Sequence, residues 1–258
     1  MKRFLAILIL AALLPAPAGA IIMRHDRDAA RYRELAAKYP AVGALGDRVA
    51  CTLIAPRWAL GAAHTIENFF NPGSDPFVTF GQRRYRIDKI VIHPRRVRDA
   101  VDSDWDLVLL RLAEPVEGIA PVLLYDGTDE VDQIATLVGR GAAGPALPGA
   151  TRTLGVAHAA RNLVEGAFEH SLVFSFSPPP AGEDLEGVPG PSDSGCPALL
   201  EKDGKLYTIG VGAWGTETHD PAKSAYGSID AFARVSAHRT WIVDTMAADP
   251  PSSIAMYG

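Results

Sequence analysis

The sequence predicts an all-β protein made of two strand assemblies in series, followed by one C-terminal helix. Three observations carry this. Short aliphatic or alternating runs recur between Arg48 and Val235, each bounded by Pro, Gly or Asn. The chain has 24 Gly and 20 Pro among its 258 residues, enough turn formers to join many short strands. A Pro-containing stretch over Ala113–Pro121 divides the runs into two sets, which fits two barrels or sandwiches.

Taken in order, the chain opens with Lys2-Arg3, an apolar run from Phe4 to Leu14, and Ala18-Gly19-Ala20. That is the layout of an export leader cleaved after residue 20. The apolar run is short for a membrane span. Residues 1–20 are therefore read as a signal peptide, with the mature chain starting at Ile21, secreted or periplasmic, and with no membrane contact after cleavage. Asp28–Lys38 has the propensities of a short helix. The first strand set comprises RVACTLI, ALGAAH, PFVTFG, YRIDKIVIH and DLVLLRL. The second comprises QIATLVGRG, TRTLGVAHAA, HSLVFSFS, KLYTIGVGAWG and SAYGSIDAFARV. One unit thus covers residues 21–120 and a second covers 121–258. Val235–Met246 reads as the terminal helix with Trp241 and Ile242 inward, and DPPSS ends it.

Composition narrows the function. Apolar residues make up 48% and charged residues 21% of the chain, the balance of a packed core rather than of disorder. The 25 basic residues are outnumbered by 30 acidic ones, and no basic run marks a nucleic-acid partner. Loss of Lys2 and Arg3 takes the formal charge from −5 to −7. RHDRD (24–28) and DSD (102–104) lack a metal-ligand set and read as solvated charge. No metal and no cofactor are expected.

The stretch GPSDSGCPAL (190–199) raises the sharper question, because a polar, Gly- and Pro-rich loop runs straight into an apolar segment. Acyl transfer by a serine needs a histidine to accept its proton, a buried carboxylate to orient that histidine, and N–H donors for the oxyanion. Ser194 lies in this loop, His64 ends PRWALGAAH, and Asp106 opens the apolar run DLVLLRL. Asp102 and Asp104 are alternatives to Asp106. Each residue alone also has a plain structural reading, as a packed histidine, a turn aspartate or a loop serine.

Order and local wording decide between these readings. TLIAPRWALGAAH, DWDLVLLRL and SDSGCP together resemble the histidine, aspartate and serine segments of the trypsin/chymotrypsin-like serine proteases. VGRG, GVGAWG, FARV and the late WI extend the resemblance over nearly the whole mature chain. It implies two six-stranded antiparallel β-barrels with the site in the cleft between them. It also implies a secreted endopeptidase acting as a monomer on peptide or protein substrates. In that scheme His64 is the general base, Asp106 its orienter and Ser194 the nucleophile. The oxyanion donors are the N–H groups of Ser192 and Ser194. Trp214 and Gly215 pair with substrate backbone, and Val188, Gly215 and Asp230 line the primary pocket. Two readings of Asp230 then stand: a charge on the pocket wall that favours Lys or Arg at P1, or a turn residue outside the pocket.

Several positions depart from the family pattern. Ser192 stands where Gly is usual, which restricts the turn of its peptide. Ala213 replaces a Ser that normally supports the buried Asp. In relatives a newly cut N-terminal Ile or Val pairs with the Asp beside the nucleophile, here Ile21 with Asp193, but Met23-Arg24 replace two glycines. The usual cysteines near Val49 and Thr65 are missing, and the resemblance instead implies a Cys51–Cys196 bridge. These departures leave two alternatives in view: a protease-fold binding protein with little or no turnover, and an esterase-like hydrolase.

Overall fold

Six strands close into a barrel within the first half of the chain. Strand β1 (Ile22–Met23) and helix α1 (Ala29–Ala36) precede it. The barrel strands are β2 (Val42–Leu45), β3 (Val49–Ala55), β4 (Trp58–Gly61), β5 (Phe77–Phe80), β6 (Arg83–Ile92) and β7 (Val108–Leu112), with α2 (Ala63–Phe69) between β4 and β5. Their order is β2-β3-β4-β7-β6-β5, and every pairing is antiparallel. The computed structural model describes residues 21–69, 75–98, 104–147, 153–154, 156–190, 192–216 and 225–248. The expected leader over 1–20, the alternative carboxylate Asp102 and the tail beyond 248 lie outside these described residues.

The second half supplies β8 (Leu123–Leu124), β9 (Ile134–Gly139), β10 (Ala142–Pro145), β11 (Thr153–Leu154), β12 (His158–Leu163) and β13 (Gly166–Ala167). Then come β14 (Ser171–Ser175), β15 (Gly187–Val188), β16 (Pro197–Lys202), β17 (Lys205–Gly215), β18 (Ile229–Arg234) and helix α3 (Val235–Ala247). This half keeps to the expected two-barrel plan, with its sheet forming a half-barrel. One sheet runs β12-β9-β16-β17-β18-β14-β13, β8 adds in parallel to β17, and the ladder is open between β12 and β14. The reason is that the β12 edge is already taken: Arg161 N–H donates to Leu185 O at 2.8 Å and bridges to Glu186. A buried side chain spans the seam instead. Asn162 Nδ2 donates to Ser175 O at 2.8 Å and to Gly187 O at 3.0 Å.

Strand β7 shows how the two halves are joined. Val108, Leu110 and Leu112 face the main core, while Leu107 and Leu109 face a second cluster with Leu60, Val211, Val235 and Ile242. A strand buried on both faces has no polar alternation, which is why DLVLLRL is apolar almost throughout. The second cluster draws on both assemblies and on α3, so it fixes the floor under Asp106. Helix α3 presents Val235 and Ile242 to it, and buries His238 on the same side, at helical spacing.

The N-terminal helix begins where its cap dictates: Asp28 accepts the Ala30 N–H at 2.8 Å. Helix α2 is a difference from the sequence reading, which extended a strand to His64. Strand β4 stops at Gly61, and the turn at Ala62 is sealed by Thr65 Oγ1 donating to Ala62 O at 2.6 Å.

Candidate active site

The two assemblies bring His64, Asp106 and Ser194 into one hydrogen-bonded row. His64 Nδ1 lies 2.5 Å from Asp106 Oδ2, and His64 Nε2 lies 2.8 Å from Ser194 Oγ. An ionised carboxylate only accepts, so Nδ1–H donates to Asp106 and Nε2 is left to accept the Ser194 hydroxyl. Asp106 Oδ1 also accepts the backbone N–H of His64 at 2.8 Å, which fixes the carboxylate relative to α2. Asp106 is 1% exposed, whereas the His64 side chain is 21% exposed and reaches the cleft. The alternative carboxylate Asp104 stands apart from this row and accepts a hydrogen bond from Ser171 Oγ.

The serine loop is held from below by Asp193. Its carboxylate accepts N–H bonds from Gly141 at 3.1 Å and Gly190 at 3.0 Å. The backbone N–H groups of Arg140 and Ile21 converge on it as well. Asp193 is fully buried, and burial pushes its carboxyl up to about 7 against the pull of these donors. The packing is close: a Cβ on Gly139 would lie 2.2 Å from Asp193 Oδ1, so only glycine fits there.

The start of the described chain reaches this niche as a strand. Strand β1 lies between β10 and β15, with Ile22 opposite Gly144 and Val188. Met23 and Arg24, which stand at the positions of the missing glycines, are both buried. Arg24 is 2% exposed, forms a two-point pair with Asp26, and donates to Ala181 O and Glu183 O at 3.0 Å.

Ser192 adopts φ 72°, the left-handed conformation in which glycine is ordinarily found. The loop therefore keeps its shape in spite of the side chain. Among the described residues, neither the Ser192 nor the Ser194 N–H has a protein acceptor. Beside them is a cavity of about 220 Å³ whose walls include His64, Ser192, Ser194, Trp214, Gly215 and Asp230.

Val188 requires a correction. It is fully buried against Ile22, Ala146 and Phe176, and Pro189 and Gly190 take the expected place in the cavity wall. Pairing with β1 turns Val188 away from the cleft. Asp230 does line the cavity, opposite Gly215 in the β17–β18 ladder. It is 3% exposed, and its Oδ2 has no hydrogen-bond partner among the described residues. Burial, with the Asp193 carboxylate nearby, pushes the Asp230 carboxyl well above the ordinary range.

The expected Cys51–Cys196 bridge is absent: both cysteines are free and buried. Their thiols have different surroundings. Cys196 Sγ lies against Gly212 and near Asp193 and Asp230, whereas the one charged neighbour shifting Cys51 is Arg140. Burial pushes the Cys51 thiol up to about 12 and the Cys196 thiol well above its usual value, so both stay as inert thiols.

Sequence reasoning missed two charged residues at the site. The Arg96 guanidinium comes within 3.7 Å of Asp106 and within 3.2 Å of Glu67. Nothing in the basic string PRRVRD distinguishes Arg96 from its solvent-facing neighbours.

A closed β-barrel joined to a second β sheet and a C-terminal helix, with these three side chains where the halves meet, defines the chymotrypsin-like class of fold. Comparison of sequences agrees. Residues 36–242 match the family described as Trypsin, and the chain belongs to that family. It is also similar to human testisin, at 28% identity over 229 residues, which cover 76% of this chain and 69% of testisin.

Proposed function

We propose that the protein is an exported serine endopeptidase that hydrolyses peptide bonds through an acyl-enzyme on Ser194. The observation that carries this is the continuous hydrogen-bonded row from Ser194 through His64 to Asp106. His64 Nε2 takes the hydroxyl proton as Ser194 Oγ attacks the carbonyl carbon, and delivers it to the leaving amine. A water then repeats the sequence on the ester and frees Ser194. Asp106 orients the imidazole and offsets its positive charge in the transition state. Ser192 and Ser194 give their unengaged N–H groups to the developing oxyanion. Trp214 and Gly215, at the cavity wall, align the substrate backbone as an added strand.

Activation follows from the chain start. Cleavage after Ala20 makes Ile21 an ammonium, and the convergence of Ile21 N on Asp193 supports a buried ion pair that holds the serine loop. Among the described residues no helix is long and apolar enough to cross a membrane. For the substrate, Asp230 Oδ2, which has no partner among the described residues, favours a Lys or Arg at P1, whose cation supplies one and drives off the Asp230 proton.

A second reading, a binding protein without turnover, draws on Ser192 in its left-handed conformation and on Ala213, which offers Asp106 no hydroxyl. Fluorophosphonate labelling separates the two. Protein beginning at Ile21 is expected to label at Ser194 alone, and Ser194→Ala to abolish both labelling and peptide hydrolysis. Folded protein that does not label would favour the binding reading.

A further inference from the structure

The acid side of the row continues beyond Asp106. Arg96 Nε is 3.7 Å from Asp106 Oδ1, and Arg96 Nη2 is 3.2 Å from Glu67 Oε2. The side chains of Arg96, Glu67 and Asp106 are 3%, 9% and 2% exposed, so these charges meet almost out of water. Glu67 follows His64 by three residues on α2, which puts both on one face of the helix. The sequence Ser194, His64, Asp106, Arg96, Glu67 therefore leaves α2 and returns to it. An arginine is rarely buried to this degree without an anionic partner, and among the described residues Asp106 and Glu67 both face it.

We infer that Arg96 and Glu67 are positioning residues that set the charge felt by the His64–Asp106 pair, in place of the hydroxyl that Ala213 cannot offer. The inference rests on the serine-hydrolase reading. Arg96 steadies the Asp106 carboxylate and, from its far side, opposes the build-up of positive charge on His64. Glu67 partly cancels Arg96 and limits the effect. The two therefore act with opposite sign through one atom group.

Other titratable groups pack around this corner. His93 from the end of β6, His170 before β14 and His238 on α3 stack about Trp105, with Arg95 over the same ring. Burial lowers His93 and His238 to about 4, so both are neutral through the range in which a serine hydrolase is assayed. Asp104 precedes Trp105, while Asp193 and Asp230 lie on the serine side.

The test is the rate of Ser194 labelling by a fluorophosphonate as a function of pH in wild type, Arg96→Gln, Arg96→Lys and Glu67→Gln, each first shown to unfold cooperatively. In Arg96→Gln the acid limb is expected to move up by about half to one pH unit, with a lower plateau; Arg96→Lys should restore most of the limb position. In Glu67→Gln the limb should move down. A fall in plateau with no movement of the limb, or movement in the same direction in both charge-neutralising variants, overturns the inference while leaving the serine-hydrolase reading intact. If Arg96→Gln does not fold, the sign of the Glu67→Gln shift decides. A wild type that does not label overturns the reading itself, and the inference with it.

Discussion

Adding one residue ahead of Ile21 is the perturbation that couples the chain start to the serine loop most directly. Asp193 is fully buried, its carboxyl sits at about 7 against an ordinary 3.8, and Ile21 is among its N–H donors. At about 1.36 kcal/mol per pH unit, keeping that carboxylate ionised costs about 4 kcal/mol above pH 7 when Ile21 carries only an amide. The folded chain holds this proton to higher pH than the unfolded chain does. Stability from this group is thus present below about pH 4 and is lost as pH rises to 7. A free Ile21 ammonium supplies the missing charge, and the loss is postponed until the ammonium itself deprotonates. Urea unfolding from about pH 4 to 9 should be compared for protein starting at Ile21 and protein starting at Ala20. The curves are expected to separate with rising pH, to about 4 kcal/mol by pH 8. Ser194 labelling should weaken in the longer form. Superimposable pH–stability curves would refute the argument that Ile21 compensates Asp193.

Four other outcomes are expected. Asp230→Asn should lower cleavage after Lys and Arg at least about tenfold relative to apolar P1 residues in a peptide library, since it removes the charge partner. Library profiles that match the wild type would remove Asp230 from specificity. Ser192→Gly should relieve a left-handed side-chain residue, stabilise the fold by up to about 1 kcal/mol, and raise the Ser194 labelling rate; slower labelling would contradict this. Asn162→Leu leaves the Ser175 and Gly187 carbonyls without their donor and should cost about 1–3 kcal/mol in urea unfolding. Finally, maleimide tagging of unreduced, denatured protein should add two tags, and reductant should leave Tm unchanged; untagged protein would mean that a bridge exists after all.

The strands that were legible in the sequence are those whose burial is decided locally. KLYTIGVGAWG covers β17 from end to end, HSLVFSFS contains β14, and YRIDKIVIH covers β6 apart from its first two residues, Arg83 and Arg84, because apolar spacing and flanking turn residues mark them. His64, Asp106 and Ser194 were legible for another reason: each sits in a worded segment, and the three occur in a distinctive order. What escaped depends on partners far away in sequence. Strands of two to four residues such as β1, β10 and β15 are too short to show a periodicity and exist because they pair with one another. That pairing also turned Val188 inward. The cysteine pairing failed because adjacency of two backbones does not fix where their thiols point. Arg96 and Glu67 were invisible because their burial requires the β6–β7 connection to fold over α2.

The four tryptophans are very unequally placed. Trp58 is 6% exposed, and the rings of Trp105 and Trp241 lie 4.1 Å from His170 and 4.5 Å from His93. Trp214, 44% exposed, stands in the wall of the cleft. Anything that settles there changes the polarity around one indole and leaves the other three as a constant background. The cleft thus carries its own optical reporter, and its occupancy can be followed by intrinsic fluorescence without any chemistry taking place.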